Sequence, residues 1–215
     1  RKEDLLSQAW EESLQMLDLS HTMFNKAVKK SKKQESLTVL KKLKNRDREI
    51  NSYQREVRRK IFTHFALEQG THDITSLMVL VMMIVDIERI GDYSKNILDL
   101  AINYPDALDT KHLHKDLYDI EIEVKDRFDH IIDAVKTQDI RNAGNLLKGF
   151  KKHVTGASDR IVNNIIAGNL EFQSGSEAAA IALYARYLKR IGSHLKNITT
   201  TIVNPIDAIG YRPKK

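Results

Sequence analysis

Glu88 and Asp92 stand four residues apart in the stretch Val85-Asp-Ile-Glu-Arg-Ile-Gly-Asp-Tyr-Ser-Lys-Asn-Ile97. On a helix their carboxylates leave one face, a turn apart. Gly91 lies between them, and its missing side chain lets a neighbouring helix approach closely. Upstream, Asp47, Asn51, Gln54 and Arg58 follow at steps of 4, 3 and 4 and form a second stripe. If the two helices fold back about Gly70, position 52 lies opposite 88 and position 48 opposite 92. Asn51 then comes near Glu88, and Asp47 near Asp92. Three carboxylates and an amide oxygen suit a hard or borderline cation such as Mg²⁺, Ca²⁺, Mn²⁺ or iron. Carboxylates this close repel one another unless a cation or a proton intervenes. The alternative is a salt-bridge network in which Arg58, Arg89 or Lys95 neutralises the acids, and spacing leaves both readings open.

The elements that must position these groups are helices. Three prolines and nine glycines are too few for the turns of a strand-rich chain. Apolar residues recur at helical spacing from Leu5 to Val28, which predicts a first helix over about 3–31. A second helix starts after Ser36 and runs to Gly70; a third starts near Asp73 and runs to about Ile102. The Leu77–Val85 stretch of the third is apolar all round and predicts a place at the bundle centre. Pro105 ends that helix and marks a boundary. Three more helices are expected over roughly 110–137, 139–168 and 174–203, the last with Ser174 as N-cap, Glu177 three residues on, and Pro205 just beyond its end. A worn copy of the acidic stretch recurs in it, Arg186-Tyr-Leu-Lys-Arg-Ile-Gly-Ser-His-Leu-Lys-Asn-Ile198, with Lys189 and Ser193 where Glu88 and Asp92 stand. An internal repeat implies one supersecondary unit used twice. The expected fold is all-α: two tandem antiparallel three-helix bundles, residues 1–104 and 105–215.

Composition removes several function classes. Without cysteine there are no disulfides or thiolate metal sites, which fits a reducing compartment. The longest apolar run, Leu77–Val85, falls far short of the roughly 20 residues that span a bilayer. No Glu-x-x-His, HExxH, GxSxG or Gly-rich phosphate loop occurs, and His112 and His114, two apart, point to different helix faces. Trp10 and the Met82–Met83 pair read as core. The net charge of +6 is uneven: residues 26–60 hold fourteen Lys/Arg against four acids. Such a strip attracts anionic surfaces, and Lys41, Lys42, Lys44, Arg48, Arg55 and Arg59 are its candidate partner- or membrane-binding residues. The alternative is a solvated face of a long helix. The aromatics among these cations, Tyr53, Phe62 and Phe65, fit the core stripe, which argues against nucleic-acid binding.

The 85–97 stretch resembles the signature of PhoU-type phosphate-transport regulators, Asp-Leu-Glu-Arg-Ile-Gly-Asp followed by Asn-Ile. Asp47-Arg-Glu-Ile-Asn51 is similar to the opening of that family's second helix, and Asp73 falls where the family has an aspartate at the start of the third. The duplicated three-helix arrangement is the family's architecture, so the likeness extends over essentially the whole chain. It implies a non-enzymatic cytoplasmic regulator that restrains phosphate uptake by acting on a membrane transporter and, in some bacteria, on a sensor kinase. PhoU-like modules also occur as cytosolic tails of sodium–phosphate cotransporters, and a chain that begins at Arg1 instead of Met fits such a tether. Family members can carry metal clusters on paired Glu/Asp-x-x-x-Asp motifs, one per repeat. Here Gln54 and Arg58 stand where carboxylates are common, and Lys151, Thr155, Lys189 and Ser193 replace the second set. The resemblance therefore implies one incomplete metal site, in the first repeat, on Asp47, Asn51, Glu88 and Asp92. Expected partners are a phosphate transporter or its membrane domain, a sensor kinase and an anionic membrane surface, with a homodimer left open. The competing functions are a metal-dependent enzyme on a carboxylate bundle and a basic-strip nucleic-acid binder.

Overall fold

A computed structural model describes residues 4–67, 73–204 and 206–211, and all the regular structure among them is helical. Helix α1 spans Leu5–Ser31, α2 Leu37–Lys44, α3 Asp47–Leu67, α4 Ile74–Asn103, α5 Thr110–Leu113, α6 Lys115–Thr137, α7 Ile140–Leu146, α8 Gly156–Ile166 and α9 Gly175–Val203. The start signals act as their chemistry requires. Asp4, Ser36, Asp73 and Ser174 accept the backbone N–H of Ser7, Val39, Ser76 and Glu177, satisfying donors that the first helical turn leaves open. Glu177 reaches back to the Gln173 N–H at 2.6 Å. The expected stops at Gly70 and Pro205 lie outside the described residues.

Three expected helices are broken; the fourth divides at His114, whose extended backbone separates α5 from α6. The second divides at Asn45–Arg46, where the Asn45 N–H turns back to the carbonyls of Leu43 and Lys41, and α3 starts afresh at Asp47. The fifth divides into α7, a π-helical turn over Lys151–Thr155, and α8. Gly149 takes a left-handed φ of 70° in that break. The Arg127 guanidinium from α6 donates to the freed carbonyls of Leu146 and, at 2.9 Å, Lys148. A distant arginine thus satisfies what a continuous helix would have satisfied itself.

The halves share one continuous hydrophobic cluster. The most extensive helix–helix contact is between α4 and α9, the two copies of the repeated stretch. Across it His194 Nδ1 lies 2.8 Å from Asp86 Oδ1, Asn197 donates to the same oxygen at 3.0 Å, and Arg190 donates to Tyr93 Oη at 3.1 Å. The repeat register is visible at the glycines. A Cβ on Gly91 would meet Ile50 Cδ1 at 2.8 Å, and one on Gly192 would meet Val154 Cγ1 at 2.8 Å.

Two core expectations are corrected. Leu77–Val85 is not enclosed on all sides: Leu80 and Met83 are buried, but Met78 is 51% exposed and Val81 38%. Phe62 and Phe65 do not join the core stripe and are 73% and 51% exposed. The buried stripe of α3 is Asp47, Ile50, Gln54, Val57, Ile61 and His64. Phe62 is offset from it, in line with Arg55, Arg58 and Arg59 at 7, 4 and 3 residues. At this end of the molecule α3 and α4 have a covered face and an open one.

Candidate functional site

The antiparallel pair α3/α4 brings the two polar stripes together. Gln54 donates to the Ile84 carbonyl at 3.5 Å, Ile50 packs at Gly91, and Asp47 reaches Lys95. The pairing follows the hairpin register expected from the sequence. Asp47 opens α3 one turn before Asn51; Glu88, Asp92 and Lys95 line the facing side of α4.

Lys95 stands among these acids. Its Nζ donates to Asp47 Oδ2 at 3.0 Å and to Asp92 Oδ1 at 3.4 Å. Asn51 Nδ2 donates to the same Asp47 oxygen at 3.1 Å. Arg89 donates to Asp92 at 3.3 Å and lies 3.8 Å from Glu88. Asp47 is buried, and its Oδ1 has no hydrogen-bond partner among the described residues. Burial, and next the charge of Asp92, push the Glu88 carboxyl above its ordinary value; Asp47 adds to the rise, against Arg89 and Lys95. The three carboxylates therefore share one electrostatic neighbourhood, as the spacing implied, and the cation among them is a lysine ammonium. Of the three candidate neutralisers, Lys95 and Arg89 serve here, while Arg58 lines an apolar groove elsewhere on α3.

The resemblance implies a metal at this place, and the side chains as arranged do not fit one. Among the described residues no three His, Cys, Asp or Glu side chains are grouped to hold an ion. Asp47 and Asp92 already accept from Lys95, and Asn51 turns its amide N–H, not its oxygen, toward Asp47. A stability measurement separates the two arrangements. The folded-state pKa of Glu88 is raised, so between 4.5 and that value the folded protein binds more protons than the unfolded chain, and stability falls as pH rises. Above that window the ionised Glu88 is a standing cost. With chelator present, Glu88→Gln should raise the melting temperature at pH 7 and leave it unchanged below pH 4.5. A lower melting temperature at pH 7, restored by no change of pH, would show that the carboxylate is stabilising and would sink the lysine-neutralised reading.

The equivalent place in the second half is inverted in charge. Lys189, at the Glu88 position, donates to Asp159 at 2.7 and 2.9 Å, and Arg186 donates to the same carboxylate at 2.7 Å. The Lys189 hydrogen bond, with the charges of Lys189 and Arg186, holds Asp159 below its ordinary value against a smaller effect of burial. Ser193 Oγ, at the Asp92 position, merely donates to the Lys189 carbonyl at 2.9 Å.

Of the basic strip, Lys44 is held by Asp99 at 2.5 Å and Arg59 by Glu56 at 2.9 Å. Lys41, Lys42, Arg48 and Arg55 are exposed and make no ion pair with any described residue. Beside it lies what sequence reasoning missed. Phe62, Phe65, Ile74, Met78, Val81 and Met82 line an apolar groove of about 430 Å³ between α3 and α4, with Arg58 at its edge. A wheel count of α3 against Arg55, Arg58 and Arg59, in place of a search for apolar recurrence alone, would have set Phe62 outside the core.

Comparison with known proteins bears on the fold. Residues 14–101 match the PhoU domain model, a span that includes α3, the signature stretch of α4 and all four acidic-site residues. No curated protein matches the sequence. The fold is similar to the crystal structure of PhoU from Pseudomonas aeruginosa, at 21% identity and a TM-score of 0.73, covering 92% of this chain and 95% of that one. It is also similar to the phosphate transport system regulatory protein PhoU from Streptococcus pneumoniae, at 18% identity and a TM-score of 0.76, covering 98% of each.

Proposed function

We propose, from the premise that this chain carries a PhoU domain and folds like PhoU along its whole length, that it is a non-enzymatic regulator of phosphate uptake that docks on a phosphate transporter. The observation that carries this reading is the family match over 14–101, which takes in the signature stretch of helix α4. No described helix is long and apolar enough to cross a membrane, so contact with a transporter is made by surfaces of the bundle.

Two surfaces support docking. The exposed cations Lys41, Lys42, Arg48 and Arg55 attract an anionic membrane face, each contributing on the order of 1 kcal/mol when close to it. The open α3/α4 groove, with Phe62 and Met78 well exposed, supplies apolar contact of the kind that marks protein interfaces. Attraction by charge is long-range and undirected; the groove gives the contact a fixed place. Neither surface requires a catalytic step, and the reading assigns none to the acidic cluster or to a metal.

The test is phosphate uptake in the source cells. Deleting the coding region should raise uptake under phosphate-replete conditions, and the full chain supplied in trans should restore restraint. Phe62→Glu, on an exposed site that leaves folding intact, should fail to restore it. Uptake that ignores the deletion at both high and low phosphate would overturn the proposal.

A further inference from the structure

Duplication places a second polar locus where the first half has its acidic cluster. In the second half the positions of Asp47, Asn51, Asp92 and Lys95 are held by Lys151, Thr155, Ser193 and Lys196. The equivalence is geometric as well as sequential, because Val154 meets Gly192 as Ile50 meets Gly91. In the first half the site is filled by its own side chains: Lys95 bridges Asp47 and Asp92. In the second half Lys189 is paired with Asp159, while Lys151 makes no ion pair with any described residue. A cavity of about 260 Å³ opens there, lined by Lys151, Thr155, Ser193, Lys196, Asn197 and Tyr211 above an apolar floor. Across the π-helical turn lies a cavity of about 420 Å³, lined by Lys151, Lys152, Arg160, Gly149 and Gly156. Lys151 belongs to both, and among the described residues no carboxylate lines either.

We infer that this charge-inverted copy of the acidic locus is an anion site for a tetrahedral oxyanion, either phosphate itself or the phosphoryl group of a larger molecule. Positive charge converging on a concave surface without acids raises local anion concentration. Lys196 lines the rim of the smaller cavity and donates to the Gly210 carbonyl at 2.9 Å. Lys151 makes no ion pair with any described residue and is exposed, so its ammonium can turn into either cavity. The Ser193 and Thr155 hydroxyls now donate to backbone carbonyls within their own helical turns, and a rotation about one bond redirects them. The glycines leave backbone accessible beside the three cations of the larger cavity. The volumes admit a single phosphoryl group in the smaller cavity and a second in the larger.

This inference does not depend on transporter docking; it is read from the internal duplication and the cavity linings alone. Its test is binding of radiolabelled inorganic phosphate to the purified chain by equilibrium dialysis at constant ionic strength, with ATP and phosphatidylglycerol vesicles as parallel probes. Saturable phosphate binding is expected, weakened about tenfold or more by Lys151→Glu and largely kept by Lys151→Arg. Lys42→Glu, on the distant basic strip, should leave it unchanged. Tighter binding of ATP than of phosphate, with the same dependence on Lys151, assigns the site to a phosphoryl group on a larger soluble molecule. Vesicle binding lost with Lys151→Glu assigns it to a lipid headgroup. Absence of binding up to about 10 mM overturns the inference. So does binding that Lys151→Glu spares and Lys42→Glu removes, which would give the anion to the basic strip.

Discussion

Glu121→Ala should lower the unfolding free energy by about 3–5 kcal/mol, the range for dismantling a buried charge network. Glu121 lies on α6 with no exposed surface. Its Oε2 accepts the Tyr184 hydroxyl of α9 at 2.9 Å and the Thr110 hydroxyl of α5 at 3.1 Å. Its Oε1 faces the ammonium of Lys32, at the end of α1. One carboxylate therefore ties the first half of the chain to three helices of the second. Alanine leaves two hydroxyls and a cavity in place of these bonds, and each unmet buried polar group costs about 1–3 kcal/mol. The network also shows in Tyr184, whose hydroxyl is pushed well above its ordinary pKa by burial, then by the Glu121 charge and hydrogen bond. Urea unfolding gives the comparison directly: the midpoint should drop with the slope unchanged, and Tyr184→Phe should cost about 1–2 kcal/mol. A loss below 1 kcal/mol for Glu121→Ala would mean that this carboxylate does not hold the halves together.

Lys95→Met should cost about 2 kcal/mol, less than a fully buried pair because Lys95 is 30% exposed along its side chain. The loss comes from leaving Asp47 buried with only Asn51 as donor, beside two further carboxylates. Adding Asp47→Asn should then recover more than half of it, since the amide needs no counter-charge; a double-mutant cycle isolates that coupling. Recovery of less than a quarter would place the cost in lost packing of the lysine stem. The pH dependence has a definite sign. Burial of the ammonium acts to lower the Lys95 pKa, but the Asp47 hydrogen bond and charge, then Asp92, leave it above 10.5. A cation raised in the folded state stabilises fully below its unfolded value, and the contribution is lost as pH climbs through the folded one. Wild type should therefore lose stability above pH 10.5 more steeply than Lys95→Met.

The acidic locus was legible before any coordinates because its geometry is helical and local. A four-residue step fixes two carboxylates on one face, and hairpin counting fixes what stands opposite. The identity of the central cation was not legible. Lys95 and Arg89 are within a turn of the α4 acids and Arg58 lies about three turns beyond Asp47 on α3; the packing of α3 against α4, with Ile50 in the gap at Gly91, decides that Lys95 reaches across to Asp47. The break at 147–149 was hidden for a related reason. Arg127 is about twenty residues away, and no local pattern shows that its guanidinium will satisfy the carbonyls of Leu146 and Lys148.

Apolar residues set the same limit at Phe62 and Met78. Side-chain hydrophobicity tells that a residue gains by leaving water, but not that the chain supplies anything to cover it. By itself the sequence determined the all-helical class, the duplication, the long helices α1, α4 and α9, the N-caps of α4 and α9, and the pairing of two polar stripes. These follow from periodicity, capping chemistry and spacing, which act over a few residues. Tertiary structure alone decided which cation fills the acidic cluster, that cavities flank Lys151 at the second locus, that Glu121 joins the halves, and that Phe62 and Met78 on the first hairpin stay exposed. Each depends on which side chains from distant segments arrive at the same point, and that is a property of the packed bundle, not of any stretch within it.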